Sequence, residues 1–218
     1  MSVLKRIQYN SPVILTYALI CLVICGVNYL SNNAANHLLF SVYRSSPSDP
    51  FTYVRLIGHI FGHENIYHYF SNFMIILLVG PMLEEKYGSV RILIMMLITA
   101  VVTGLIFLLV SGSNYLLGAS GIAFMLILLS SFTNFKRGMI PITLILVIIA
   151  YIGNEVYQGF AEADNISHLT HIVGGICGAV AGYFINYSQT KADGPDDSKT
   201  ADSKPADVQP ADKQTTES

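Results

Sequence analysis

The sequence predicts an all-α protein: a polytopic bundle of six membrane-spanning helices. Three observations predict it. Hydrophobic residues make up 52% of the 218 and charged residues only 12%, where a soluble domain carries roughly 25% charge; the mean hydropathy is +0.52. Six apolar stretches, at residues 12–30, 66–83, 92–110, 118–132, 139–152 and 169–187, approach the ~20 helical residues that cross a hydrocarbon core of about 30 Å. Lysine and arginine are also distributed unevenly among the connections, as orientation in a bilayer requires.

The first stretch follows Lys5 and Arg6. It is too long for the apolar core of a signal peptide and more spans come after it, so it reads as a retained helix. Residues 31–65 are too long for an idle connection and rich in aromatics, which predicts a structured loop embedded in the membrane. The fourth stretch, at 118–132, covers only about 22 Å as a helix, so one of its ends must stop below the membrane surface. From Ser188 to Ser218 the composition turns to Ala-Asp pairs, Pro, Ser, Lys and Thr. Such a tail buries too little apolar surface to offset its ordering entropy and is expected to be disordered. The chain therefore divides into a terminus at 1–11, a helical domain at 12–187 and a tail at 188–218.

Lys5 and Arg6, Lys86 and Arg91, Lys136 and Arg137, and Lys191 with three later lysines fall on one side of the bundle; only Arg44 and Arg55 fall on the other. This places both termini in the cytoplasm and turns the start of the fourth span outward. The net charge of −2 comes with no basic stripe, which excludes nucleic acid as a partner. Cys21, Cys25 and Cys177 each lie inside an apolar run and read as small buried hydrophobes rather than disulfide or zinc ligands.

Polar side chains at membrane depth are costly and mark function by default. His68 and Asn72 are spaced i, i+4 on one face of the second span. Gly118-Ala119-Ser120-Gly121 opens the fourth span and His171 stands near the start of the sixth. A serine in the first turn of a helix has free backbone N–H groups beside it, suited to a developing oxyanion, and flanking glycines admit close approach. Alone the motif is weak, since small residues pack membrane helices generally. His171 supplies a base, and Gly174, Gly178 and Gly182 form a smooth stripe that would bring it against the fourth span. The bland alternatives are plain helix packing for His171 and an interhelical polar clamp for His68 and Asn72. No carboxylate lies at matching depth, so the residues point to a Ser–His dyad and not a triad.

In this order, the series His59, His63, His68-x-x-x-Asn72, then Glu84-Glu85-Lys86-Tyr87-Gly88-Ser89, Gly118-Ala119-Ser120-Gly121 and His171-x-x-Gly174-x-x-x-Gly178 resembles the rhomboid family of intramembrane serine proteases, in its minimal six-helix prokaryotic form. The resemblance implies that Ser120 attacks the scissile carbonyl and His171 takes its proton, with His68, Asn72 and Gly118 around the oxyanion. Arg55, Glu84, Phe124, Gly174 and Gly178 would support the site. It implies no cofactor and no metal, substrates that are transmembrane segments of other proteins, and a bacterial cytoplasmic membrane with the site opening outward. The chain departs from the family pattern at Phe124, where tyrosine is common, at Thr170, where alanine is usual, and at Val54, where tryptophan often precedes the arginine.

Several rivals remain beside this reading. His168 lies one turn before His171 but lacks the glycine at +3, so an interfacial role suits it better. His59 and His63 have ligand spacing without an obvious third ligand, and read as structural. His63-Glu64 with His68 fails as a zinc-protease motif, because i, i+5 residues lie about 140° apart around a helix. A rhomboid-like protein that binds transmembrane segments without cutting them is the nearest alternative. A histidine-based transporter would call for internal repeats that the sequence does not show.

Overall fold

The computed structural model describes residues 8–110, 115–132, 142–152 and 165–192. Helix α1 (Pro12–Leu30) begins with proline in its first turn, where a missing N–H has no intrahelical bond to lose. Ile14, Tyr17, Ala18, Cys21 and Cys25 form its buried stripe, while Val23 and Leu30 on other faces are exposed. The connection that follows is structured. It holds a π-helical turn (Asn36–Phe40), helix α2 (Pro50–Gly58) and a 3₁₀ turn (His59–Phe61). Asp49 caps α2, accepting from the Phe51 amide at 3.0 Å and from Arg55 Nη2 at 2.7 Å. Arg55 also donates to Ser45 Oγ at 3.0 Å and lies 4.4 Å from the centre of the Tyr43 ring. One buried guanidinium thus gathers the first half of the loop against α2.

Helix α3 (Ile66–Tyr87) starts at Asn65, whose side chain accepts from the His68 amide at 2.9 Å. Gly88, at φ 86°, makes the single-residue turn into α4 (Ser89–Val110). The sequence stopped the second span at residue 83 and began the third at 92; both helices run closer to this turn. Helix α5 (Ser120–Ser130) is shorter than the expected 118–132, and at 11 residues it rises only about 17 Å. Helix α6 (Ile142–Val147) continues as a π-helical turn (Ile148–Ile152); the start of the expected fifth span, at 139–141, lies outside the described residues. Helix α7 (Asn165–Ala192) passes residue 187, where the last span was expected to end, and the tail beyond Ala192 lies outside the described residues.

The fold is all-α, and among the described residues four helices are long and apolar enough to cross a bilayer: α1, α3, α4 and His168–Ile185 within α7. The protein is accordingly an integral membrane protein. Helix α5 occupies the centre. Every residue from Ile122 to Leu129 is buried, which matches a segment that is apolar on all sides.

Buried polar groups tie the outer helices to this frame. The Glu84 carboxylate on α3 accepts from the Val13 and Ile14 amides at 3.0 and 2.9 Å, and from Ser89 Oγ at 2.7 Å. It serves as the N-cap that Ser11 does not provide, so the free N–H groups of α1 are satisfied from another helix. Tyr17 donates to the Ile60 carbonyl at 2.6 Å and Tyr69 to the Ala18 carbonyl at 3.1 Å, fixing α1 against the 3₁₀ turn and α3.

Candidate active site

Three elements meet at the N-terminal end of α5. The chain enters through Leu116, which exchanges two backbone hydrogen bonds of 2.8 Å with Val42 of the first loop. Two residues on, the Gly118 amide donates to the His59 carbonyl at 2.9 Å. The His59 ring is itself held, with Nδ1 3.1 Å from the Leu56 carbonyl and Nε2 3.4 Å from Thr103 Oγ1 on α4. Gly118 then takes φ 124°, a left-handed value that side chains disfavour, and the helix starts at Ser120. The turn aims the serine into the bundle rather than along the loop.

His171 comes from α7, and its Nε2 lies 2.8 Å from Ser120 Oγ across 51 residues of sequence. The glycine stripe explains how the two helices come so near. A β-carbon on Gly174 would run into the Gly121 carbonyl and one on Gly178 into the Met125 carbonyl. Each position therefore touches backbone directly, and only hydrogen fits. Phe124, one turn after Ser120, stacks on the His171 ring with centroids 4.7 Å apart and planes 7° from parallel. This orients the imidazole without a hydroxyl. His168 stands edge-on to His171 at 6.3 Å, behind it on the same helix.

The side chains of α3 complete the arrangement. A β-carbon on Gly118 would sit 2.8 Å from His68 Nε2 and 3.7 Å from Asn72 Nδ2, so both nitrogens border the space above the glycine. Asn72 is buried and its Nδ2 has no hydrogen-bond partner. A buried amide donor left open is unusual in a folded protein and calls for an explanation. Here it faces the space beside a serine hydroxyl that is bonded to an imidazole. His63, in the turn before α3, packs edge-on to His68 at 5.2 Å. Burial is the main force pushing its imidazole down to about 4, with His68 adding to it, so His63 is neutral and structural at ordinary pH.

A model of the rhomboid domain matches residues 50–188. The chain belongs to the rhomboid family. The matched segment runs from the start of α2 into the last turns of α7 and holds Ser120, His171, Phe124, Gly118, His68 and Asn72. No curated protein matches the chain. The family match leaves α1 outside it, yet Glu84, Tyr17 and Tyr69 bind that helix to the rhomboid domain.

The structure brings Ser120, His171, Phe124, Gly118, His68 and Asn72 together, with Gly174 and Gly178 at the helix contact behind them. Arg55 and Glu84 lie apart from it, in the loop and at the opposite end of α3. Among the described residues no group of three His, Cys, Asp or Glu could hold a metal ion. Sequence reasoning missed the Val42–Leu116 pairing, the His59 carbonyl that holds Gly118, and Thr103. Only for Thr103 was there a signal, as a polar residue in the middle of an apolar span.

Proposed function

We propose that this rhomboid-family protein is an intramembrane serine protease that cuts transmembrane segments of other membrane proteins. Ser120 Oγ attacks the scissile carbonyl while His171 Nε2 accepts its proton. The oxyanion forms in the space above Gly118, where Asn72 Nδ2, His68 Nε2 and the Ser120 amide offer donors. His171 returns the proton to the leaving amine. Water then attacks the acyl-enzyme with His171 again as base, and Ser120 is freed.

The single observation that carries this reading is the 2.8 Å approach of His171 Nε2 to Ser120 Oγ, beside an amide donor with no partner of its own. The membrane frame suits the chemistry too. With α5 only about 17 Å long, a serine at one of its ends lies below the bilayer surface, and the hydrolytic water has to come from the side on which the helix begins.

The same reading completes the topology with a span at 139–152, giving six, and keeps the catalytic domain from 12 to the last helix, which runs past 187 to Ala192, with a solvated tail beyond it. Both termini are cytoplasmic in a bacterial inner membrane and the site faces outward, as the lysine and arginine distribution favours. The test is cleavage of a panel of single-pass substrates in proteoliposomes. Wild type and His168→Ala are expected to cut, with or without a chelator. Ser120→Ala and His171→Ala are expected to cut nothing. Cleavage that survives Ser120→Ala would overturn the proposal.

A further inference from the structure

Next to the segment that leads into Ser120 lies a recess of about 450 Å³ whose walls include Asn32, Asn36, His37, Glu64, Tyr115 and Leu117; most of its surface is apolar, with the carboxylate and the amides set into it. The chemistry proposed above makes no use of it. Glu64 is exposed, and no lysine or arginine lines the recess; with His37 taken as neutral, its formal charge is that of this one carboxylate. Among the described residues the ion pair is Arg55–Asp49, and Glu64 has none. Its hydrogen-bond partner is the Tyr115 hydroxyl, which donates to it at 3.3 Å, and the nearby carboxylate is the main cause holding that phenol's pKa above its ordinary value.

The walls are held in place before anything binds. Asn36 donates from Nδ2 to the His63 carbonyl at 2.9 Å, accepts from the Asn28 side chain, and donates its amide to Asn28 Oδ1 at 2.7 Å. Ser41 Oγ donates to the Asn36 carbonyl at 2.9 Å. Asn32 and Asn33, at φ 50° and 67°, turn the chain around the rim, and both also border a neighbouring recess of about 530 Å³ that shares Glu64. Leu117 stands three residues before Ser120, a span of at most about 11 Å in extended chain. A substrate strand lying on Ser120 therefore reaches the recess within a few residues.

We propose that this recess is a specificity subsite of the same reaction, taking the lysine or arginine side chain of a substrate residue roughly two to four positions from the scissile bond. The inference rests on the protease reading. A carboxylate with unused acceptor capacity, among amide side chains that solvate an ammonium or guanidinium, rewards a cation and repels an acidic residue. The preference belongs to Glu64, so it follows the charge at that position.

The test uses the full chain in proteoliposomes and one cleaved host substrate carrying Lys, Gln or Glu at each position around its scissile bond. At one position the Lys substrate is expected to exceed the Glu substrate in kcat/KM by about tenfold or more at low salt, the gap narrowing as salt screens the charges. That ratio should collapse toward one in Glu64→Gln and invert in Glu64→Lys. A fluorophosphonate titration of Ser120 normalises each preparation for active protein. A ratio unchanged by both substitutions, in protein that cuts and labels, overturns the subsite and leaves the protease reading standing. No cleavage and no labelling by wild type overturns both.

Discussion

At Gly118 a hydrogen occupies the place where a methyl group would stand 2.8 Å from His68 Nε2, in the space assigned to the oxyanion. Gly118→Ala also strains a backbone at φ 124°. The expected outcome is a loss of roughly 10²–10³ in kcat with KM little changed, since the added carbon obstructs a charge that exists only in the transition state. Asn72→Ala should show the same split, because its Nδ2 has no partner in the resting protein to lose. Steady-state cleavage of one fluorogenic transmembrane substrate checks both. His63 has a different consequence. Its imidazole titrates near 4 in the fold because it is buried, against an ordinary value of 6.5. A histidine held below its unfolded value contributes stability that is fully present above pH 6.5 and is lost as pH falls toward 4, because the unfolded chain takes up the proton first. Melting in detergent is therefore expected to weaken from pH 7.5 to pH 4.5, and His63→Gln should flatten part of that slope.

Among the elements, the α5–α7 contact and the Glu84 cap each make a graded prediction. Gly174 and Gly178 meet backbone carbonyls of α5, whereas Gly182 meets the buried Phe132 side chain, from its ring in to its Cβ. Gly178→Val should therefore force the helices apart, lower the melting temperature and move His171 away from Ser120, with kcat falling more than tenfold. Gly182→Ala should also lower the melting temperature, because the buried Phe132 must shift, yet reduce kcat less than Gly178→Val, because it lies 11 residues, about 16 Å along the helix, from His171. Removing Glu84 leaves the Val13 and Ile14 amides and the Ser89 hydroxyl without their acceptor. Glu84→Ala should cost roughly 2–5 kcal/mol of unfolding free energy, and Glu84→Gln less, because one acceptor oxygen remains. Equilibrium unfolding in mixed micelles measures the difference. The element pattern was legible in sequence because membrane helices must be long and apolar. The helix ends were less so. Residues 118 and 119 look as apolar as α5 itself, and only the bond from Gly118 to His59 reveals that the helix has not yet begun.

Across the whole molecule, sequence and structure diverge for one physical reason. In water, hydrophobicity marks the face of a helix that packs inward; in a bilayer both faces are apolar. Nothing in the residues of α1 says that Ile14, Tyr17 and Cys21 turn inward while Val23 turns out. The glycines were the exception, because smallness marks close contact in either solvent. The polar residues of the site were legible for the converse reason, since an unexplained Ser, His or Asn at membrane depth demands a use. The Val42–Leu116 pairing left no trace, being a backbone contact between residues 74 apart that either side chain would permit. The outward apolar faces then make the last prediction. Val23 is 65% exposed near the middle of α1, and Tyr29 is 85% exposed at its end. On a soluble protein, arginine at either exposed position would change stability by no more than about 0.5 kcal/mol. If the exposed face of α1 lies in hydrocarbon, Val23→Arg carries an insertion cost of about 2.5–3.5 kcal/mol, while Tyr29→Arg reaches the headgroups and costs little. Membrane-fraction yield with a glycosylation reporter of insertion should therefore fall sharply for Val23→Arg and hold for Tyr29→Arg. Equal, small effects at both positions would mean that this face of α1 does not lie in the bilayer.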